Sequence, residues 1–126
     1  KDNGSEDITL NIEYVNAVKE GMRSVTSGEA GTAYARFKNF NISVGGKTGS
    51  AEAGRDANGN DIVNAWFAAF APYEDPEIAV VVMVENGGHG NYTAEAVRNV
   101  MAEYFGMNTQ NVTEDMQAKS YTESIR

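Results

Sequence analysis

The stretch FNISVGGKTGSAE, residues 40–52, marks the change from a helical to an extended pattern in this chain. Its first apolar residues, Phe40, Ile42 and Val44, alternate with polar or small ones, which is the period of a half-buried strand. We therefore predict a strand over residues 40–52. Its glycines and lysine are typical of an edge strand, because glycine marks close approach by a ligand or another backbone and lysine discourages strand-to-strand aggregation. Edge protection and ligand docking are both compatible with this pattern.

Two apolar runs that follow predict two more strands. A turn cluster after the first strand contains Asn58-Gly59, a strong hairpin signal. We predict strands over residues 62–71, which are rich in alanine and aromatic side chains, and over residues 77–86, which are mostly aliphatic. Because both runs are almost wholly apolar, we expect both to be central strands buried on two faces. Two hairpins in series make the sheet antiparallel.

Helical patterns flank these strands, over about residues 12–26 and 93–105. The two expected apolar stripes consist of Val15, Val18, Met22 and Val25, and of Val97, Val100, Met101, Tyr104 and Phe105. Asn11 is a suitable N-cap for the first helix and Ser27-Gly28 a stop signal, while Gly106 ends the second helix. Residues 29–37 are compatible with one short helical turn. The predicted fold class is α+β, with helices packed on an antiparallel sheet.

Length, charge and composition exclude several classes of function. The 126 residues suit a single domain, and 10 basic against 18 acidic residues give a net charge of −8, which opposes binding to nucleic acid. No apolar run approaches the ~20 residues of a membrane helix. The absence of cysteine removes disulfides and thiolate nucleophiles, and we expect no catalytic role for the single histidine, His89, in its glycine loop. We expect no metal site, because Asp56–Asp61 resembles a calcium loop but lacks its glycine and glutamate.

The run Gly45–Ser50 (GGKTGS) is the densest polar cluster within an apolar region. Gly46-Lys47-Thr48 matches the end of a phosphate-binding P-loop, but the first glycine of that motif would fall at Asn41. A P-loop must also open a helix, whereas extended chain surrounds this run on both sides. The other interpretation is a polar strand edge that binds carboxylates and oxyanions.

The second interpretation assigns a physical task to each residue of Lys47–Ser50, which we name the rail. Alternation along the strand places the Thr48 and Ser50 hydroxyls on one face, where both can donate to a substrate carboxylate. Lys47 adds positive charge in an acidic chain, and Gly49 lets a substrate lie flat against the backbone. An exposed strand edge can also pair with an extended peptide, and the backbone N–H of Ser50 can then point at a developing oxyanion.

These residues resemble a known family. Lys-Thr-Gly at positions 47–49 is similar to the third signature motif of penicillin-binding proteins and serine β-lactamases. The resemblance is to class B penicillin-binding proteins, above all to penicillin-binding protein 2, and it covers about residues 8–106. It rests on the blocks GMRSV (21–25), GTA (31–33), VGGKTGSAE (44–52), AWFAAFAP (65–72) and VENGGHG (84–90).

The resemblance implies the β-lactamase/transpeptidase fold and a peptidoglycan D,D-transpeptidase on the extracytoplasmic face of the bacterial membrane, anchored by a helix outside this chain. In that family a serine attacks the D-Ala-D-Ala bond to form an acyl-enzyme, and β-lactams acylate the same serine. By resemblance, Lys47 supports that serine and the proton relay, Thr48, Gly49 and Ser50 bind the substrate, and the Ser50 N–H supplies half of the oxyanion hole. The implied partners are stem peptides ending in D-Ala-D-Ala and β-lactams, with no cofactor.

The chain departs from the family in one respect. None of its serines has lysine three residues later or asparagine two residues later, so the S-x-x-K and S-x-N motifs are absent. We therefore expect residues 1–106 to be the C-terminal portion of a transpeptidase domain, completed by an N-terminal part that pairs beside the third strand, and residues 107–126 to be a polar, flexible tail. By itself the chain is expected to be inactive. A D,D-carboxypeptidase, a serine β-lactamase, a β-lactam-sensing receptor domain and a non-catalytic packing module are the alternatives.

Overall fold

Three helices and three strands make up the part of the chain that the structure, a computed structural model, describes, residues 8–88 and 91–107. In chain order they are α1 (Ile12–Ser27), α2 (Tyr34–Phe37), β1 (Gly45–Arg55), β2 (Asp61–Ala71), β3 (Ile78–Val84) and α3 (Asn91–Tyr104). The strands form one antiparallel sheet in the order β1-β2-β3. The predicted α+β class with a three-stranded sheet is therefore confirmed. His89 and, apart from Met107, the predicted tail lie outside the described residues.

The hairpin turn between β1 and β2 forms around Asn58-Gly59, as predicted. Gly59 has a φ of +84°, a conformation that glycine adopts without steric cost. The Asp56 carboxylate accepts hydrogen bonds from the backbone N–H groups of Asn58 (2.8 Å) and Asn60 (2.9 Å) and from the Asn60 side chain (3.0 Å). These bonds, that from the Asn60 side chain first, hold the pKa of Asp56 below its ordinary value. The segment that resembles a calcium loop therefore uses its first carboxylate to close a turn.

Helix α1 begins and ends where the sequence predicts. The Asn11 side chain accepts a hydrogen bond from the backbone N–H of Glu13 at 2.8 Å, and Gly28 follows the last turn. The expected apolar stripe is wrong at Val18, which is 63% exposed. The reason is that α1 packs against β1 mainly through its C-terminal end, where Thr26 is fully buried, whereas Tyr14 near its start is exposed.

The first strand begins later than its alternating pattern predicts. Residues 40–44 are not part of β1, although Phe40 and Val44 are buried and Ile42 is half-buried. The carbonyl of Val44 instead accepts hydrogen bonds from the Thr26 hydroxyl (2.5 Å) and the Arg23 guanidinium (3.3 Å). The alternation therefore results from burial of these side chains in the core and not from strand pairing. At its other end β1 runs on to Arg55, past the predicted end, with a register shift in the hairpin.

One face of the sheet holds the core. Every second residue of β2 from Ala65 to Ala71 is buried there, and the Phe67 ring, which is fully buried, stacks on Phe37 of α2 with centroids 5.9 Å apart. Val97 and Met101 of α3 complete the packing. The expectation that β2 and β3 are buried on two faces is wrong for the described residues, since the opposite face leaves Trp66, Val81 and Met83 between 38% and 61% exposed. Strand β3, expected to be central, lies at an edge of the described sheet.

Helix α3 lies slightly earlier than predicted and ends as predicted. Val97 and Met101 are buried and Phe105 is half-buried, so the stripe facing the sheet follows four-residue steps. Val100 and Tyr104, which the prediction placed in the same stripe, are about half exposed because they lie to one side of that line. Gly106 has a φ of +66° after the last turn. No helix among residues 8–88 and 91–107 is long and apolar enough to cross a membrane.

Two glycines at the start of β1 make room for aromatic rings of β2. A Cβ built on Gly46 would lie 2.6 Å from Cζ of Phe67, and one on Gly45 would lie 2.5 Å from Cζ of Phe70. The sequence pattern favoured close approach by a ligand or another backbone at these glycines. The structure places the rings of the neighbouring strand there, so packing accounts for both residues.

Gly31 and Gly21 form a matched pair of glycine-to-alanine substitutions. A Cβ at Gly31 would lie 2.4 Å from the carbonyl oxygens of Ser24 and Val25, whereas a Cβ at Gly21, inside α1, meets nothing within 4 Å. We expect Gly31→Ala to lower the free energy of unfolding by about 1–3 kcal/mol, because backbone atoms must move. Gly21→Ala should raise it by about 0.5–1 kcal/mol through helix propensity. Urea unfolding of the chain measures both, and an unchanged midpoint for Gly31→Ala would contradict the packing.

Candidate active site

The rail lies on β1, at an edge of the sheet. Its residues Lys47, Thr48, Gly49 and Ser50 stand opposite Ala68, Phe67, Trp66 and Ala65 of β2, in that order. In the described part of the chain no strand pairs with the outer side of β1. An unpaired strand edge of this kind is one to which an extended peptide can add.

Side-chain alternation divides the rail between the two faces of the sheet. Thr48 and Ser50 share the face of Phe67, where Thr48 is half-buried and Ser50 is exposed. Lys47 and Gly49 belong to the opposite face, with Trp66. A Cβ on Gly49 would lie 3.2 Å from Cβ of Trp66, so cross-strand packing also favours glycine at this position.

The Lys47 side chain leaves β1 on the face of Trp66, and its ammonium group folds back to the strand backbone. Its Nζ donates a hydrogen bond to the backbone carbonyl of Thr48 at 2.5 Å, and the side chain is exposed. Two nearby cations are engaged in salt bridges, Arg36 with Glu95 and Arg55 with Asp61, both at 2.9 Å. Lys47 thus brings positive charge to the strand edge where Thr48 and Ser50 present their hydroxyls.

Thr32 is a residue of this site that the sequence interpretation missed. Its Oγ1 lies 3.2 Å from Oγ1 of Thr48, within hydrogen-bond distance. Thr32 belongs to the GTA block of the family resemblance, yet nothing in a local pattern connects it with a residue 16 positions later. Only the fold, which brings the loop between α1 and α2 beside β1, joins the two hydroxyls.

A polar cluster fastens the segment before β1. The Ser43 hydroxyl donates a hydrogen bond to the Glu74 carboxylate and accepts one from the backbone N–H of Tyr73 at 3.0 Å. The bond from Ser43 is the main reason that the pKa of Glu74 lies below its ordinary value, and the charges of Arg23 and Lys19 add to it. Both cations also lie over the Tyr73 ring, 5.9 and 5.1 Å from its centroid. These contacts hold α1 and the turn after β2 to the start of β1.

No nucleophile is apparent from the hydrogen bonds of the described serines. The hydroxyls of Ser24 and Ser27 donate to carbonyls one helical turn earlier, at 3.0 and 2.9 Å. Ser43 is engaged with Glu74, and Ser50 is an exposed member of the rail. The sequence of these 126 residues likewise contains no S-x-x-K motif.

The cavity beside α1 and α2 lies away from the rail. This cavity of about 340 Å³ lies between α1, α2 and residues 40–44, and residues 47–50 do not line it. Among residues 8–88 and 91–107 no three or more His, Cys, Asp or Glu side chains come together in a way that could hold a metal ion. The rail is an open edge in this part of the chain.

Comparisons with a family model, with curated relatives and with solved structures all identify the same family. Residues 5–103 match the family model for the penicillin-binding protein transpeptidase domain. The peptidoglycan D,D-transpeptidase MrdA of Haemophilus influenzae is 33% identical over 109 residues, which are 77% of this chain and 16% of that protein. The chain therefore spans about a sixth of the length of this relative.

Solved structures agree in fold. The penicillin-binding protein 2 of Pseudomonas aeruginosa, in complex with WCK 5153, is 36% identical with a TM-score of 0.68, over 79% of this chain and 21% of that one. The penicillin-binding protein 2 of Helicobacter pylori is 26% identical with a TM-score of 0.69, over 82% of this chain and 19% of that one. The chain belongs to the penicillin-binding protein transpeptidase domain family, and within it to the class B proteins that resemble penicillin-binding protein 2.

Proposed function

We propose that the rail is one wall of the active site of a peptidoglycan D,D-transpeptidase. The observation that carries the proposal is the arrangement of Lys47–Ser50 on the outer side of an edge strand, with two hydroxyls on one face and an ammonium group at the backbone between them. A relative that is 33% identical over 109 residues is named a peptidoglycan D,D-transpeptidase, which favours this activity over a carboxypeptidase, a β-lactamase or a receptor domain. In this proposal residues 1–106 are the C-terminal portion of the domain and residues 107–126 a tail.

The rail residues have separate tasks in this proposal. The hydroxyls of Thr48 and Ser50 donate to the carboxylate of a D-Ala-D-Ala stem peptide or a β-lactam, and Gly49 allows the substrate to lie along the strand. Lys47 supports the serine that attacks the scissile carbonyl and takes part in moving its proton. Ser50 stands where the family commonly has threonine, so the hydroxyl is retained and a methyl group is lost.

The backbone direction supports the assignment of the Ser50 N–H to the oxyanion hole. The Thr48 carbonyl accepts a hydrogen bond from Lys47, and that carbonyl therefore faces the open side of β1. Residues two apart in a strand direct their backbone groups to the same side, so the N–H of Ser50 also faces outward. A donor fixed there stabilises the negative charge that develops on the carbonyl oxygen during acylation.

The nucleophile and the remaining walls belong, in this proposal, to the rest of the same enzyme. The exposed apolar face with Trp66, Val81 and Met83, and the outer edge of β3, are surfaces that the N-terminal part of the domain covers. The parent enzyme acts on peptidoglycan at the extracytoplasmic face of the membrane, and its partners are stem peptides and β-lactams.

Labelling with a fluorescent penicillin tests this proposal. The chain by itself should form no covalent adduct, because it lacks the attacking serine, whereas the full-length protein should be labelled at a serine outside these 126 residues. Peptide mapping by mass spectrometry identifies the acylated residue. An adduct on the isolated chain, or a full-length protein that no penicillin acylates, would contradict the proposal.

A further inference from the structure

We infer that Thr32 is a positioning residue that orients the Thr48 hydroxyl toward the substrate carboxylate. The inference deepens the proposed function and rests on it. The two hydroxyl oxygens are 3.2 Å apart, and they come from different elements, the loop before α2 and strand β1. The hydroxyl of Thr48 therefore has a protein partner before any substrate arrives.

The chemistry of the pair fixes which oxygen must donate. A hydroxyl has one hydrogen and two lone pairs, and an ionised carboxylate only accepts hydrogen bonds. If Thr48 donates its hydrogen to a carboxylate, the hydrogen between the two threonines must come from Thr32. A hydroxyl that accepts one hydrogen bond also becomes a stronger donor, because neighbouring bonds polarise each other. Thr32 thus both selects the rotamer of the Thr48 O–H and strengthens its bond to substrate.

Backbone contacts hold Thr32 in place. The N–H of Gly31 donates to the carbonyl of Gly28 at 2.7 Å, and the N–H of Ala33 donates to the carbonyl of Val25 at 3.0 Å. Gly31 lies so close to the end of α1 that a Cβ there would meet backbone oxygens at 2.4 Å, and Ala33 is 1% exposed. Thr32 lies between these two anchored residues while its own side chain stays exposed. The hydroxyl therefore meets Thr48 from a fixed backbone, which reduces the entropy lost when substrate binds.

Substitutions at Thr32 separate this role from general packing. Thr32→Val keeps the shape and removes the hydroxyl, Thr32→Ser keeps the hydroxyl, and Thr9→Val is a matched control at another exposed threonine. The full-length protein is acylated with benzylpenicillin and with its methyl ester, whose carboxylate is blocked, and the second-order rate constant of each is measured.

The expected signature depends on the carboxylate. Thr32→Val should slow acylation by benzylpenicillin about five- to tenfold, the size of one lost hydrogen bond, and leave the methyl ester unchanged. Thr32→Ser and Thr9→Val should react like the parent. In the double variant Thr32→Val/Thr48→Val, benzylpenicillin should react no more slowly than with Thr48→Val alone, since Thr32 acts through Thr48.

Two results would overturn the inference and leave the proposed function intact. The first is an equal loss of rate for benzylpenicillin and its ester in Thr32→Val, and the second is full additivity in the double variant. If the Thr48→Val variant still distinguished benzylpenicillin from its methyl ester as the parent does, the carboxylate-binding part of the proposed function would be refuted. The inference about Thr32 would then be refuted as well.

Discussion

Acylation of the full-length enzyme by a fluorescent penicillin should slow about 10²- to 10⁴-fold when Lys47 is replaced by alanine, the usual contribution of a group that assists proton transfer. Lys47 is exposed, carries its charge to the strand edge and contacts the Thr48 carbonyl at 2.5 Å. Under the proposed function, loss of the ammonium group removes both the cation near the substrate carboxylate and the group that supports the attacking serine. Stopped-flow fluorescence gives the second-order rate constant directly.

Two further variants test whether the loss of acylation rate is specific to Lys47 and whether it comes from proton transfer. Lys38→Ala removes another exposed lysine, in the segment just after α2, and should leave the rate unchanged because that residue is not part of the rail. Lys47→Arg keeps a positive charge but cannot give up a proton at neutral pH, so binding should survive better than acylation. A Lys47→Ala enzyme that is acylated as fast as the parent would refute the role assigned to this residue.

The isolated chain should lose about 3–5 kcal/mol of unfolding free energy when Phe67 is replaced by alanine, the usual cost for a buried phenylalanine. The ring of Phe67 is fully buried, stacks on Phe37 and fills the space above Gly46. Its removal leaves a cavity where β1, β2 and α2 meet, and the backbone around it is already constrained by sheet pairing. Urea unfolding followed by circular dichroism measures the change.

Trp66, the neighbouring residue on β2, provides the comparison. Its side chain is larger but lies on the opposite face and is 38% exposed, so Trp66→Ala should cost clearly less than Phe67→Ala in the isolated chain. If Trp66→Ala were as costly, the core would not lie on the face to which the structure assigns it. The double variant Gly46→Ala/Phe67→Ala is a second check on the packing of Phe67 over Gly46, because the added methyl group occupies part of the space that the ring has left.

Much of the fold follows from local pattern. The cap at Asn11, the hairpin at Asn58-Gly59 and the helix end at Gly106 depend on a few neighbouring residues, and all three are found as predicted. The error at residues 40–44 has a physical cause, since alternating burial occurs wherever extended chain crosses a core. Whether such a segment pairs depends on what binds its carbonyls, and at Val44 the partners come from α1.

The amino-acid sequence by itself determined the order of helices and strands, the central place of β2, the polar run Lys47–Ser50 and its alternation, because these features follow from the period of a strand and from turn chemistry. Only the tertiary structure decided that Thr32 meets Thr48, that Phe67 lies over Gly46 and that one face of the sheet stays exposed in the described residues. Each of these is a contact, or a missing cover, between segments far apart in sequence. Such relations depend on how helices pack on the sheet and leave no local period to detect.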